Sequence, residues 1–187
     1  MARLDRGRSA GRQMMLTRRE ILGTGGGLAV ALSFSSLAVR AGEMVEIRMQ
    51  GRDDGSHVWF DPIGVLINPG QTIRWTNLNP GNSHTTTAYN PANFGRPLRM
   101  PKAAKSWDSD YLLPNESFSV TFTEQGVYDY YCIPHEHAGM VGRIIVGEPE
   151  AHGWAEMVGG NGDLPQEALK AFPTVEDIMS KRVVRRA

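Results

Sequence analysis

Short segments of alternating apolar and polar residues, separated by turn residues, run through most of this chain. E-M-V-E-I-R-M at 43–49 and Q-T-I-R-W-T-N at 71–77 both alternate with a period of two. That period is typical of a strand with one buried face. Turn residues separate such segments, as in P-G at 69–70 and N-P-G-N at 79–82. The pattern restricts the chain to a fold built from short β-strands.

The same pattern of short strands continues to residue 147. Further strands are predicted over 57–62, 65–68, 83–89, 117–122, 127–132 and 141–147. Residues 90–113 hold four prolines or glycines and few apolar residues in register, so we expect a long loop with at most a short helix there. Seven or so short strands at this spacing predict an all-β fold, a two-sheet β-sandwich over residues 42–148.

Residues 149–187 form an extension of a different character. The segments 164–172 and 174–181 have helical patterns, with Thr174 as the N-cap of the second. The chain then ends in the basic run K-R-V-V-R-R-A. Two interpretations are open: a helical extension that covers one face of its own sandwich, or a segment that docks onto a partner enzyme or a membrane surface.

Residues 1–41 have the layout of an export signal. T-R-R-E-I-L at 17–22 contains an arginine pair, and a Gly- and Ser-diluted apolar run follows over 21–39. The arginine pair favours the twin-arginine route, with cleavage after Ala41 and a periplasmic location. An uncleaved membrane anchor is the alternative, but the small residues make the run a poor spanning helix.

Charge excludes one class of partner. The chain has 20 basic and 20 acidic side chains, and residues 1–41 hold seven and two of them, which leaves 13 basic and 18 acidic. An acidic protein is a poor match for nucleic acid, which selects basic faces. We expect membrane contact only through an uncleaved signal or through the C-terminal extension.

Cys132 is the only cysteine among the 187 residues. A single thiol in an exported chain is buried, pairs with another molecule, or binds a metal. Here it lies in the spacing C-x2-H-x4-M with His135 and Met140. Thiolate, imidazole and thioether together favour copper, whereas closed zinc sites usually take four Cys or His ligands. The motif therefore indicates a copper site.

An electron-transfer copper site needs two histidines beside its cysteine and methionine. His84 is the best second candidate, because it follows the turn at 79–82 and begins a predicted strand at one end of the sandwich. His57 and His152 are expected to be solvated surface residues.

With these residues in place, the chain resembles the plastocyanin/pseudoazurin branch of the cupredoxins, which are small blue copper proteins. The matching stretches are P-x6-P-G-Q-T-I-R-W-T-N at 62–77, S-H-T at 83–85 and G-V-Y-D-Y-Y-C-I-P-H-E-H-A-G-M-V-G-R-I-I-V at 126–146. The resemblance implies an eight-stranded Greek-key sandwich. It also implies one copper ion held by His84, Cys132, His135 and a weak axial Met140.

Two further positions near the motif, Thr85 and His137, are not expected to be copper ligands. Thr85 stands where members of the family commonly have asparagine, so only its backbone N–H and one hydroxyl are available to tie the two ligand loops together. His137 lies five residues past Cys132, where the family pattern has no ligand, and is expected to face solvent. We further expect a small apolar docking patch of Pro134, Ala138, Gly139 and Met140 around His135.

The function expected from this resemblance is a periplasmic electron carrier that shuttles single electrons between a redox donor and acceptor. A copper oxidase or nitrite reductase is disfavoured, because the neighbours of Cys132 are Tyr131 and Ile133. Such enzymes link two copper centres through a histidine beside the cysteine. The alternative is a copper carrier or chaperone without a redox role, although the methionines form no run.

Overall fold

The computed structural model describes residues 44–52, 57–155, 160 and 162–186. The predicted export signal over 1–41 lies outside these residues and stays a prediction. In the part of the chain that is described, no helix is both long and apolar enough to cross a membrane.

Nine strands of the described residues form two mixed sheets, which confirms the predicted two-sheet sandwich. The strands are β1 (Val45–Gly51), β2 (Val58–Asp61), β3 (Gly64–Ile67), β4 (Thr72–Asn77), β5 (Thr87–Ala88), β6 (Ser117–Thr121), β7 (Gly126–Tyr131), β8 (Val141–Val146) and β9 (Val183–Val184). One sheet has the order β2-β1-β4-β6, and the other has β5-β7-β8-β3-β9. Pairs β1–β4 and β3–β8 are parallel, and the other neighbours are antiparallel.

The structure differs from the sequence expectation at two strands. The strand predicted over 83–89 is reduced to β5, and His84 pairs with Leu112 only through an isolated bridge. The cause is that the N–H groups of Thr85 and Thr86 bond to side chains instead of a neighbouring strand. β9 was not predicted at all, and it brings the strand count to nine where the resemblance implied eight.

The two sheets differ in how many of their faces are buried. Along β4 buried residues alternate with exposed or half-buried ones, so its outer face meets solvent. Every residue of β7 and β8 is buried. Strands that are buried on both faces need a second layer of structure on the outside.

The C-terminal extension supplies that layer. Helices α1 (Gln166–Ala171) and α2 (Val175–Lys181) pack on the five-stranded sheet. A second apolar cluster, outside the main core, contains Tyr89, Tyr131, Val141, Leu164 and Ala168. As predicted, Thr174 caps α2, with its hydroxyl oxygen accepting the Asp177 N–H at 3.0 Å.

A buried ion-pair network accompanies this apolar cluster. Asp129 on β7 lies directly opposite Arg143 on β8, and its carboxylate also accepts a hydrogen bond from Arg99. Arg143 in turn donates to the carbonyl of Pro173 in the extension at 2.8 Å, and the Phe172 ring lies over both guanidinium groups. The described part of the extension therefore packs on its own sandwich, as the first interpretation predicted.

Candidate metal centre

Two loops meet at one end of the sandwich. The His84 loop, residues 78–86, connects β4 to β5, and the cysteine loop, residues 132–140, connects β7 to β8. After Cys132 the chain enters a 3₁₀ helix over Ile133–Ala138, with proline in its first turn, where the missing N–H does no harm. Gly139 ends the helix at a φ of 76°, a conformation that favours glycine.

The cysteine loop is closed by its own backbone. The Cys132 N–H donates to the Met140 carbonyl at 3.0 Å, and the Met140 N–H donates to the His135 carbonyl at 3.1 Å. These bonds hold the two ends of the loop side by side. Met140 is fully buried in the same core cluster as Cys132.

Three candidate ligands converge between the loops. His84 Nδ1 and His135 Nδ1 are 3.2 Å apart, and Cys132 Sγ lies 3.6 Å from the first and 3.4 Å from the second. His84, Cys132 and His135 are the one group of three or more Cys, His, Asp or Glu residues in the described chain that is close enough to hold a metal ion.

The triangle of donor atoms has the size that a metal ion requires. A point equidistant from the three atoms lies about 2 Å from each, close to the ~2.0–2.3 Å at which imidazole and thiolate bind a first-row metal. One thiolate and two imidazoles form the trigonal donor set of an electron-transfer copper site. The residues present therefore fit copper.

His84 is oriented by a side chain that the sequence analysis did not single out. Its Nε2–H donates to Asn79 Oδ1 at 3.1 Å, because an amide oxygen only accepts. That bond assigns the ring proton to Nε2 and leaves the Nδ1 lone pair facing Cys132 and His135. Burial, together with the neighbouring His135, lowers the pKa of His84 to about 4, so the ring is neutral at pH 7.

The thiol of Cys132 is buried and weakly solvated. Burial raises its pKa to about 12, although the Thr85 N–H opposes this shift by donating to Sγ at 3.3 Å. A metal ligand must be deprotonated, so copper binding has to displace the thiol proton. Burial also lowers the pKa of His135. Without a metal ion, burial therefore favours the neutral forms of His84, His135 and Cys132.

Thr85 ties the two loops together through its backbone and its side chain. Its hydroxyl oxygen accepts the Ile133 N–H at 2.9 Å. The hydroxyl proton is directed to Thr87 Oγ1 at 3.0 Å, because Thr87 donates its own proton to Asp108 at 2.8 Å. A single hydroxyl thus bridges the two loops.

Only one of the three converging ligands reaches the surface. His84 and Cys132 are fully buried, whereas His135 is partly exposed. Pro134 and His137 are exposed, and His137 lies outside the group of three.

The expected apolar patch around His135 is partly wrong. Pro134 and Ala138 are exposed, but Gly139 and Met140 are buried. The reason for Gly139 is the extension: a Cβ added there would lie 3.0 Å from the Glu167 carbonyl oxygen and 3.4 Å from Ala171 Cβ. Of the remaining histidines, His152 is exposed and His57 is partly exposed.

Sequence reasoning also missed an acidic residue beside the site. Glu136 follows His135 directly, yet it is buried, and its carboxylate pairs with Arg96 and accepts a hydrogen bond from Tyr89. The pattern H-E-H gives no sign of this burial. The three asparagines at 77, 79 and 82 indicate a polar turn network. They do not predict that Asn79 accepts a hydrogen bond from the His84 ring.

Comparison with known proteins places this geometry in a family. Residues 45–147 match the family described as copper binding proteins, plastocyanin/azurin family. A chloroplastic plastocyanin of Physcomitrium patens is 35% identical over 131 residues, covering 68% of this chain and 72% of that protein. A chloroplastic plastocyanin of Tetradesmus obliquus is 39% identical over 118 residues, covering 63% and 76%.

A solved pseudoazurin from Sinorhizobium aligns at 25% identity with a TM-score of 0.49, covering 74% of this chain and 95% of that one. The family match spans more than half of the chain and includes both loops. The chain belongs to the plastocyanin/azurin family of copper-binding proteins.

Proposed function

We propose that this protein is a type 1, or blue, copper protein that carries single electrons between redox proteins and is not itself an enzyme. His84, Cys132 and His135 provide the three strong ligands, and Met140 provides the weak axial one. The observation that carries this proposal is the triangle of Nδ1, Nδ1 and Sγ atoms with sides of 3.2–3.6 Å at the end of a rigid sandwich.

The chain contributes rigidity to this function. When bound, copper supplies a single electron by alternating between Cu(I) and Cu(II). Small movement between these states requires ligands whose positions do not depend on the metal. The Cys132–Met140 backbone bond, the Asn79–His84 bond and the Thr85 bridge hold the ligands in place without a metal.

Electrons enter and leave through the exposed edge of His135. This assignment is supported by burial, since His84 and Cys132 are fully buried and Tyr131, which precedes the cysteine, is 3% exposed. Pro134, Ala138 and His137 border the exposed edge. Such a small surface suits a transient complex with a redox donor or acceptor, because electron-transfer encounters bury little area and separate quickly.

The working location is the periplasm, reached through the twin-arginine route with cleavage after Ala41. The arginine pair and the apolar run of residues 17–39 support this part of the proposal. Sequencing the N-terminus of protein from a periplasmic extract tests it. A mature protein beginning at Gly42 is expected, and retention of residues 1–41 in the membrane fraction would contradict cleavage and free export.

Replacing Cys132 with serine tests the metal centre. We expect the intense visible absorption of the copper-loaded protein to disappear, because it arises from the copper–thiolate bond. His137→Ala serves as the matched control, since His137 is exposed and outside the ligand triangle, and its absorption is expected to be unchanged. Persistence of the colour in Cys132→Ser would refute the site.

Voltammetry separates an electron carrier from a copper carrier or chaperone. The wild-type protein is expected to give a reversible one-electron wave with copper retained through many cycles. Loss of copper to a chelator on reduction, without a reversible wave, would favour the chaperone function.

A further inference from the structure

The two candidate histidine ligands differ in how their rings are oriented. The His84 ring donates to Asn79 through the nitrogen that faces away from the site. For His135, the polar contacts found among the described residues are those of Nδ1 with His84 and Cys132. The orientation of the His135 ring therefore depends on the backbone of the cysteine loop.

Glu136 connects that backbone to the rest of the protein. It is the buried residue of the 3₁₀ helix, with its side chain 7% exposed. The Tyr89 hydroxyl donates to Glu136 Oε1 at 2.7 Å, and Arg96 pairs with the same oxygen. The Glu136 carbonyl also accepts the Gly139 N–H at 2.9 Å, which closes the last turn of the loop.

The two partners of Glu136 are themselves held firmly. Tyr89 is fully buried, with its ring 4.5 Å from Tyr131 and 6.1 Å from Phe172 of the extension. The Arg96 guanidinium lies 5.7 Å from the Tyr89 ring centroid and 5.3 Å from that of Tyr131. The carboxylate is thus attached to a packed aromatic cluster that adjoins Cys132 in sequence.

A buried carboxylate with an ion-pair partner adds little to the free energy of unfolding. Desolvating an ion pair opposes folding, and apolar residues of similar volume often stabilise a fold as well or better. Directed hydrogen bonds from two fixed donors do offer something that apolar packing lacks, which is a defined position. Glu136 directly follows His135, so a fixed Glu136 side chain also fixes the backbone that carries the partly exposed His135 ring.

We propose that Glu136 is the positioning residue of His135: its carboxylate, held by Tyr89 and Arg96, fixes the cysteine loop and thereby the orientation of the exposed imidazole. The proposal rests on the proposed function, because it concerns the same metal centre. It adds a role for a buried residue that is not one of the candidate ligands.

The test compares Glu136→Ala, Glu136→Gln and Tyr89→Phe, with Glu167→Gln as the control. Glutamine keeps an oxygen that accepts from Tyr89 but removes the charge, and Tyr89→Phe removes one hydroxyl while keeping the ring. Glu167 is an exposed carboxylate on α1, and its ion-pair partner is the exposed Lys170.

The primary measurement uses the metal-free protein, so it does not depend on copper chemistry. We expect amide hydrogen exchange over residues 133–139 to accelerate about tenfold in Glu136→Ala, with exchange broadening of the His135 ring signals in NMR. Glu136→Gln and Tyr89→Phe are expected to show smaller changes of the same sign, and Glu167→Gln none.

The second measurement uses the copper-loaded protein. In Glu136→Ala we expect the electron self-exchange rate to fall, the Cu(II) EPR hyperfine splitting to change, and copper to dissociate about tenfold faster, within the range for groups that orient metal ligands. Glutamine is expected to restore most of the EPR signature, which separates positioning from an effect of charge.

Unchanged His135 dynamics in Glu136→Ala would overturn the proposal, whether or not the melting temperature falls. Equal EPR changes in the alanine and glutamine variants would also overturn it, since charge would then be the cause. If Glu136→Ala does not fold, Tyr89→Phe decides, and unchanged His135 signals there refute the proposal. None of these outcomes depends on the colour of Cys132→Ser, which tests the metal centre separately.

Discussion

The two loops that form the metal centre are held by different parts of the chain. The His84 loop is held by amide side chains of its own turn, where Asn77 accepts the Asn79 N–H and Asn82 donates to Asn79, and by the backbone bridge from His84 to Leu112. The cysteine loop is closed by its own backbone, and it is also supported by the extension packed against Gly139 and by Arg96 and Tyr89 at Glu136.

This difference follows the exposure of the two ligands. A fully buried imidazole has room for a partner on each ring nitrogen, so Asn79 can orient His84 directly. The partly exposed imidazole of His135 has no such side-chain partner among the described residues. Its orientation then has to come from the backbone that carries it, and the backbone has to be supported by other parts of the chain. The predictions below test this division.

Removing the extension is expected to have the largest effect. A chain ending at Glu150 lacks Leu164 and Ile178, two fully or nearly fully buried side chains. Each contributes about 1.5–3 kcal/mol, so unfolding in urea should show a loss of several kcal/mol.

Hydrogen exchange in the same truncated protein sharpens the comparison between the loops. We expect faster exchange in the cysteine loop than in the His84 loop, because Gly139 of the cysteine loop lies against α1 of the extension. Equal protection of both loops would show that the extension stabilises the sandwich as a whole and supports neither loop in particular.

Asn79→Ala should disturb the His84 side alone. Without the amide oxygen, the Nε2–H has no acceptor and the ring loses its orientation, so copper affinity is expected to fall about 10–100-fold. Competition with a chelator measures the change. Asn82→Ala is the control, because Asn82 bonds to Asn79 but not to His84, and a loss as large as that of Asn79→Ala would contradict the assignment.

Thr85→Val removes the hydroxyl bridge between the loops at nearly constant volume. The Ile133 N–H then loses its acceptor, which costs about 1–3 kcal/mol when the group is buried. Chemical unfolding of the metal-free protein measures this loss. Thr85→Ser retains the hydroxyl and should recover most of the stability; if it unfolds as easily as the valine variant, the methyl group rather than the bridge is what matters.

Gly139→Ala is expected to have the smallest effect of the four. Its φ of 76° disfavours a side chain, and the new Cβ meets the Glu167 carbonyl at 3.0 Å, so a cost of about 1–2 kcal/mol is expected. Thermal unfolding measures it. Gly81→Ala, in the His84 loop, has no neighbour within 4 Å and should be nearly neutral. Similar losses in both variants would weaken the claim that the extension supports the cysteine loop at Gly139.

The sequence predicted the features that are determined within one short segment of the chain. Period-two patterns predicted most strands, because alternate burial is a property of each strand by itself. The spacing C-x2-H-x4-M places Cys132, His135 and Met140 in one turn whatever surrounds it. The cap at Thr174 likewise depends only on the residues that follow it.

Some features that depend on distant segments were not predicted. The burial of Glu136 requires Arg96, 40 residues earlier, and an acid between two histidines reads as solvent-facing. The sequence does carry one sign that the five-stranded sheet is buried on both faces. The strands V-Y-D-Y-Y and V-G-R-I-I-V each carry a single charged residue, Asp129 and Arg143, of opposite sign. Such strands indicate a sheet covered on both faces, and therefore a role for the extension.

The short outer strands of the five-stranded sheet have a consequence for how the protein behaves in a crowded compartment. That sheet is bounded by β5 at one side and by β9 at the other, and each is only two residues long. A long unpaired strand recruits other chains edge to edge, whereas such brief ones give an incoming strand few groups to pair with. The last strand of the extension therefore leaves little of this edge open to pairing with a second copy of the chain.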